Sequence, residues 1–306
     1  MKPSKLVFYL AHPKEAVIRL LQRNAALFKD DEAFLKLMYL IRFGRKLHLE
    51  NPVSFNEKLN WMKLHYHNPA LHVLADKYDV KRYVADKIGS EYVVRNYGVW
   101  DRPDQIDFEK LPDRFVLKCT HDSGGVFICR DKASFDKRPV IASLKKKMST
   151  DYYAPTREWV YKDLCPRVIA DELLSSGKSE GVLLDYKFWC FDGEPKYMYI
   201  TVKDDDVFEN FYDMDFNPVG INHGFRRMTP EFDRPVSFEK MKLLARTLST
   251  GFPFVRVDFF EVDGHPYFGE FTFYDWGGMR PFADFRQDIE LGQLIKIMES
   301  GEHKKD

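Results

Sequence analysis

Apolar and polar positions divide the 306-residue chain into stretches of different period. Up to about residue 70, apolar residues recur at three- and four-residue spacing, broken at Asn51-Pro52 and Asn68-Pro69, which predicts mostly helix. Helix-plus-strand units follow to about Pro112. Downstream, FVLK, VFIC, VLLDYKFWCF, PKYMYITVK and PFVRVDFFEV read as strands, dense in aromatic and β-branched residues. One clear helix interrupts them, Phe238–Leu248, with Met241, Leu244, Ala245 and Leu248 on its apolar face and Gly251 beyond its end. The pattern predicts an α+β protein without repeats, in which only Gly301–Asp306 read as disordered.

Polar residues interrupt the strand pattern at two places. In FVLKCTHDSGGVFICR (Phe115–Arg130), a strand delivers Lys118 to its end, and Thr120 to Gly125 form a Gly-rich loop before the next strand. Ser123, Gly124 and Gly125 would offer backbone N–H groups to a polyphosphate, as the flap of a hairpin; an ordinary turn is the alternative. Far downstream, alternation along Phe254–Phe260 puts Arg256 and Asp258 on one face, with Val255, Val257 and Phe259 on the other. A three-residue loop Asp263-Gly264-His265, with Gly264 left-handed, would place Glu270 opposite Asp258. Two facing carboxylates repel. A cation between them is the natural compensation, and oxygen ligands with open positions suit Mg²⁺ bound partly through phosphate, with Arg256 as a phosphate contact. An Arg–Glu salt bridge on a solvated sheet face is the alternative.

In order and spacing, these segments resemble the ATP-grasp superfamily, and more closely the TupA-like ATP-grasp proteins of bacterial surface-polysaccharide gene clusters. The resemblance runs from about Asn51 to about Leu294 through SFNEKLNWMKLH, LADKYDVKRYV, FVLKCTHDSGG, IADELL, DYKFWCFDGEPKYMY and GFPFVRVDFFEVDGHPYFGEFTFY. It implies an ATP-grasp fold, two α+β lobes gripping ATP, with a helical extension over residues 1–70. The N-terminal part of the core would span 71–114, the small lobe with flap and hinge 115–174, and the large lobe with the metal site 175–306. Lys77 and Lys118 would contact phosphates; LADKYDVKRYV has helical periodicity of its own, so a solvated lysine on an amphipathic helix is the alternative for Lys77. Glu172, Leu173 and Leu174 would form the hinge that reads adenine and ribose. Asp258 and Glu270 would hold Mg²⁺. The usual asparagine two residues after the glutamate is Thr272 here, a weaker ligand. Asp185 and Lys187 alternate onto one strand face and either would line the cleft, a cross-strand ion pair being the alternative for Lys187. Arg280, after the Gly277-Gly278 pair, would meet an anionic acceptor group, with an ordinary loop as the alternative. The implied activity is ATP-dependent joining of a small-molecule or saccharide carboxylate to an amine through an acyl phosphate. The expected product is an amino-acid-decorated capsule, O-antigen or teichuronopeptide-type polymer.

A formal net charge of zero argues against a general nucleic-acid partner. Cys119, Cys129, Cys165 and Cys190 form no CxxC pair and read as reduced core thiols of a cytoplasmic protein, and His65 and His67 read as surface histidines at a helix end. No run approaches the ~20 apolar residues of a membrane helix, and the start shows no small-residue cleavage site, so export is not expected. The start carries Lys2, Lys5, Lys14, Arg19 and Arg23 against Glu15 alone, with Val17, Leu20 and Leu21 at helical spacing. That composition allows peripheral contact with anionic lipid or a membrane-bound assembly; an extension packed on the protein body is the plainer alternative. Two rival functions stay open: a sugar-nucleotide glycosyltransferase using Asp204-Asp205-Asp206 as a metal site, and a non-catalytic ATP-binding module.

Overall fold

The computed structural model describes residues 12–122, 124–175, 183–203 and 206–297. Two compact units are present: one comprises residues 1–67, 151–159 and 274–306, the other 68–150 and 160–273. The expected helical extension is thus joined in its unit by two later segments. The terminal stretch expected to be disordered lies outside the described residues.

The larger unit contains two antiparallel sheets. The first is built from β1 (Asn96–Trp100), β2 (Phe115–Cys119), β3 (Val126–Cys129) and β4 (Val168–Glu172), in the order β1-β4-β2-β3. Period two decides its faces. Phe115, Leu117 and Cys119 join Val168, Ala170 and Cys129 in a core that includes Leu144 of the Lys137–Met148 helix. Val116, Lys118 and Asp171 point the other way, into a cleft. The second sheet comprises β5 (Asp185–Phe191), β6 (Glu194–Lys203), β7 (Val207–Tyr212), β8 (Pro218–Val219), β9 (Phe254–Val262) and β10 (His265–Thr272), ordered β10-β9-β5-β6-β7-β8. The Phe238–Ser249 helix buries the apolar face that its sequence announces, and Phe238 meets Phe188 with ring centroids 5.8 Å apart. Gly251 follows at φ +87°, where a left-handed residue ends the helical segment cheaply.

Two expectations are corrected. LADKYDVKRYV is not one helix: Ala70–Ala75 and Asp79–Ile88 are separated at Asp76-Lys77-Tyr78, because the Asp76 carboxylate accepts from the Tyr78 and Asp79 N–H groups, a local cap that competes with helix continuation. Cys119, Cys129 and Cys190 are buried free thiols, but Cys165 is exposed, in the irregular stretch before β4.

The smaller unit is helical. Pro13–Arg23 packs on Asp31–Phe43, which meets Phe55–His65, and Phe55–His65 packs with the late helix Phe285–Gln293. Ser54 and Glu57 form a reciprocal capping box that starts the Phe55–His65 helix, a device worth about 1 kcal/mol. At Gly292 the chains approach so closely that a Cβ would stand 2.1 Å from the Val53 carbonyl oxygen. No helix among the described residues is long and apolar enough to cross a membrane.

Candidate active site

A cleft of about 1280 Å³ opens within the larger unit, lined by residues from both sheets and the segments between them. It gathers Lys77, Lys118, Gly124, Glu172, Leu173, Leu174, Asp258 and Glu270. Its volume exceeds the ~300–1,000 Å³ of single small-ligand pockets, leaving room for a nucleotide and part of a second substrate.

The flap is a hairpin, with Lys118 opposite Val126. Gly124 has φ +87° and open space around its Cα, so this backbone can face a ligand unshielded. Gly125 is needed for another reason: a Cβ there would lie 2.2 Å from Asp122 Oδ2. Asp122, buried beneath the flap, accepts from Lys147 Nζ at 3.3 Å, and the Lys77 ammonium donates to its carbonyl oxygen. One lysine of the Lys137–Met148 helix therefore fastens the flap. Ser123 lies outside the described residues. Val126 and Ile128, 49% and 47% exposed, turn their apolar side chains into the cleft, a surface suited to a flat ring.

Lys118 Nζ donates to Asp171 Oδ2 at 3.3 Å, and Lys81 reaches Asp171 Oδ1 at 3.1 Å. Asp171 and Lys81 were missed in the sequence. Asp171 sits in VIADE, whose first four residues are all buried, so alternation does not single it out; a carboxylate in so apolar a run was the available signal. Burial lowers the Lys81 pKa, and Asp171 partly restores it. Glu172, next in sequence, is exposed at the cleft edge.

Asp258 and Glu270 do face each other, but by a different route from the one expected. Asp263 and Gly264 alone form the turn, both at positive φ, and Val262 pairs His265. The ladder runs regularly to Phe259–Phe268; then Gly269 bulges, and Glu270 pairs Asp258. A Cβ on Gly269 would stand 3.1 Å from the Asp258 carbonyl oxygen, so the bulge is built for glycine.

Between the two acids lies Arg256. It donates from Nε to Asp258 Oδ1 at 2.7 Å, from Nη2 to Asp258 Oδ2 at 2.6 Å and to Glu270 Oε1 at 3.2 Å, and from Nη1 to the Tyr199 hydroxyl at 3.1 Å. The guanidinium thus serves the carboxylates and is not among the residues lining the cleft, and the Arg–Glu salt bridge given as the alternative is present. Arg256 and Asp258 are buried, at 8% and 1% exposed, whereas the Glu270 side chain of the Arg–Glu pair is 44% exposed. Burial pushes Asp258 up to about 7 against the pull of Arg256, with Asp185 adding to the rise. Lys187, opposite Asp258 across β5 and β9, pairs with Asp185 on its own strand, and only Asp185 of the two lines the cleft. Thr272 pairs Arg256 in register, its hydroxyl 3.5 Å from Glu270 Oε1. Among the described residues no cluster of three or more His, Cys, Asp or Glu is placed to hold a metal. Two carboxylates with a hydroxyl beside them nevertheless fit Mg²⁺, which takes few protein oxygens and fills the rest of its shell with phosphate and water.

Arg280 belongs to the other unit. There Trp276, Gly277 and Gly278 are consecutively left-handed, at φ 48°, 64° and 60°, a strained run for a tryptophan. The Phe55–His65 helix holds it with three buried polar residues. Asn56 Nδ2 donates to the Arg280 carbonyl at 3.1 Å, Asn60 Nδ2 to that of Gly278 at 2.7 Å, and Lys63 Nζ to those of Gly277 and Thr156 at 2.5 and 3.0 Å. Lys63 is 3% exposed, and burial lowers its pKa to about 8. Beside it lies a pocket of about 170 Å³, with Glu158 and Trp276 at its wall and the Arg280 guanidinium 5.6 Å from the indole centroid. His67, expected at a helix end, stacks on Trp159 in this unit. Of the acidic run, Asp204 and Asp205 lie outside the described residues, and Asp206 pairs with Arg226.

Comparison with known proteins adds three findings. Residues 57–296 match the sequence profile described as TupA-like ATPgrasp. No curated protein matches the chain. Among solved structures it is similar to a D-alanine–D-alanine ligase from Bacillus anthracis complexed with ATP, at 14% identity and TM-score 0.38 over 65% of this chain and 53% of that one. It is also similar to a D-alanine–D-alanine ligase from Helicobacter pylori, at 13% and 0.41 over 80% and 70%, and to the ATP-grasp ligase PsnB with a minimal precursor, at 12% and 0.41 over 78% and 68%. The chain thus spans about half the length of the Bacillus anthracis ligase. With a profile match over most of its length, and a cleft that collects the lysines, flap and paired acids expected from its motifs, the protein belongs to the TupA-like ATP-grasp family.

Proposed function

We propose that this protein is an ATP-dependent carboxylate–amine ligase with magnesium as its metal. The observation that carries the reading is the cleft itself: Gly124, Glu172, Leu173, Leu174, Asp258 and Glu270, distant in sequence, line one cavity together with Lys77, Lys81 and Lys118. In the reaction, an oxygen of the substrate carboxylate attacks the γ-phosphorus of ATP, the bond to the β–γ bridging oxygen breaks, and ADP departs. The amine nitrogen then attacks the acyl carbon, the carbon–oxygen bond to phosphate breaks, phosphate leaves, and the amine loses a proton. Lys118 and Lys77 would neutralise phosphate oxygens, the Gly124 backbone would approach them, and Val126 and Ile128 would cover the base. Leu173 and Leu174, through the main chain, would read the adenine edge, and Glu172 would hold the ribose. Asp258 and Glu270 would hold Mg²⁺, which offsets charge on the transferred phosphoryl group. Arg256, lying between them, would position both carboxylates. The chemistry asks for alignment and charge neutralisation and needs no protein nucleophile.

For the finer assignment, resemblance to TupA-like proteins of surface-polysaccharide clusters supports a uronic acid and an amino acid as the joined pair, with Arg280 as an acceptor contact. The test is ADP release from Mg-ATP by purified protein offered uronic acids with amino acids. ADP formation that requires both partners, yields an amide and disappears in Glu270→Gln supports the ligase. A phosphorylated sugar without amide, or UDP-sugar turnover without ADP, refutes it.

A further inference from the structure

The helical unit carries a surface for which nucleotide chemistry has no use. The Pro13–Arg23 helix packs inward through Ile18, and Leu21 is partly covered. On the outward side, Val17 is 46% exposed and Leu20 61%, and Leu27 in the following turn of Ala25–Leu27 is 77% exposed. Pro13, Val17 and Leu20 follow one another at four- and three-residue spacing, so they form a single stripe. Exposed basic residues border it: Lys14 on one side, Arg19 and Arg23 on the other, and Lys29 beyond Leu27.

Acidic residues are kept from this stripe. Glu15 is the only acid between His12 and Lys29, and it pairs with Arg42 of the next helix. Asp30 caps that helix through the Ala33 N–H, and Asp31 binds Arg157 at 2.8 Å. Single exposed apolar side chains are ordinary, but an aligned set with a cationic border and no opposing acid fits a narrow class of partner. A second copy of the chain would set like charges against each other. A nucleic acid would engage the cations and leave the leucines wet. A leaflet containing anionic lipid takes both, with the basic groups among headgroups and the apolar side chains below them.

We propose that this face docks the protein on an anionic membrane surface, with the Pro13–Arg23 helix lying in the interfacial plane. Three apolar side chains and four cations make a weak, reversible attachment. The test is sedimentation of the full-length protein with phosphatidylcholine vesicles, with and without phosphatidylglycerol, at low and high salt. Binding is expected only with phosphatidylglycerol and is lost at high salt. Val17→Glu with Leu20→Glu, and separately Arg19→Glu with Arg23→Glu, each lower the vesicle partition coefficient roughly tenfold or more, with ATP binding unchanged. Leu20→Trp, a substitution the open surface accommodates, gives fluorescence that shifts to the blue on the anionic vesicles. No binding to phosphatidylglycerol vesicles overturns the proposal, as does binding unaffected by both pairs. It is also overturned if the pairs change only the oligomeric state in light scattering.

Discussion

The cleft of the larger unit and the polar stripe of the helical unit both bury charged or amide side chains, but the partners differ in kind. In the stripe, Asn56, Asn60 and Lys63 donate to main-chain carbonyls of the left-handed loop, at 2.5 to 3.1 Å. In the cleft, contacts run from side chain to side chain: Asp171 is shared between Lys81 and Lys118, and Arg256 spans Asp258 and Glu270. A lysine bound to backbone is committed to the fold, because removing it takes a charged donor from two carbonyls at once. A lysine bound to a carboxylate can exchange that partner for a phosphate oxygen. Burial alone therefore does not distinguish a staple from a binding group; the partner does.

The sharpest break of this contrast is Glu270→Gln. Its side chain is 44% exposed, so stability should change by less than about 0.5 kcal/mol, while Mg-ATP turnover falls about a thousandfold. Calorimetry and ADP release on the same sample check both halves. Lys63→Met should do the reverse in kind, costing about 3 kcal/mol in urea unfolding by leaving the Gly277 and Thr156 carbonyls without their charged donor. The pH dependence carries the same signature. Burial holds Lys63 at about 8, so between about 8 and its unfolded value the unfolded chain binds the extra proton, and stability rises with pH. Lys63→Met should lack that rise.

Asp258 sharpens the comparison from the cleft side. With its folded pKa pushed up to about 7, the folded chain binds the extra proton, so this carboxylate penalises stability increasingly as pH rises from its unfolded value to about 7. A dication relieves that penalty and competes with the proton. Apparent magnesium affinity in ATP titrations should fall roughly tenfold for each pH unit below about 7, and a flat profile would sink the metal assignment. The smallest effect belongs to Asp171→Asn. If Asp171 competes with phosphate for Lys118, its loss should tighten ATP binding by roughly threefold, the scale of a partly solvated ion pair. Weaker binding would make Asp171 an orienting group instead.

How much was legible follows the same physics. The faces of β2 and β9 could be read because strand side chains alternate and the apolar face must be buried, which put Lys118 and Asp258 toward the cleft and Arg256 on the same face as Asp258. The stripe could not. Asn56, Asn60 and Lys63 recur along a helix as polar residues on a solvent face do, and their carbonyl partners lie up to 224 positions away in the chain. Asp171 escaped because both faces of its strand are covered, so period two carries no information there. Arg256 was placed on the same face as Asp258, but which oxygens it meets depends on the rotamers of Asp258, Glu270 and Tyr199. Lys77 was legible as a residue and not as a position, since one Asp76 carboxylate, and no change of periodicity, breaks its helix.

The glycine bulge before Glu270 has a consequence for how this hairpin can vary. Eleven residues separate Asp258 from Glu270, and a two-residue turn with one bulged residue pairs the same acids as a three-residue turn with a regular ladder. The surplus residue can sit at the tip or in the strand. Deleting Gly269 would straighten the ladder while keeping the acids opposed; deleting any second residue would turn Glu270 to the other face. The hairpin can therefore drift in shape between related chains as long as turn length and bulge change together, and alignments that place gaps by turn sequence alone will misassign the second acid.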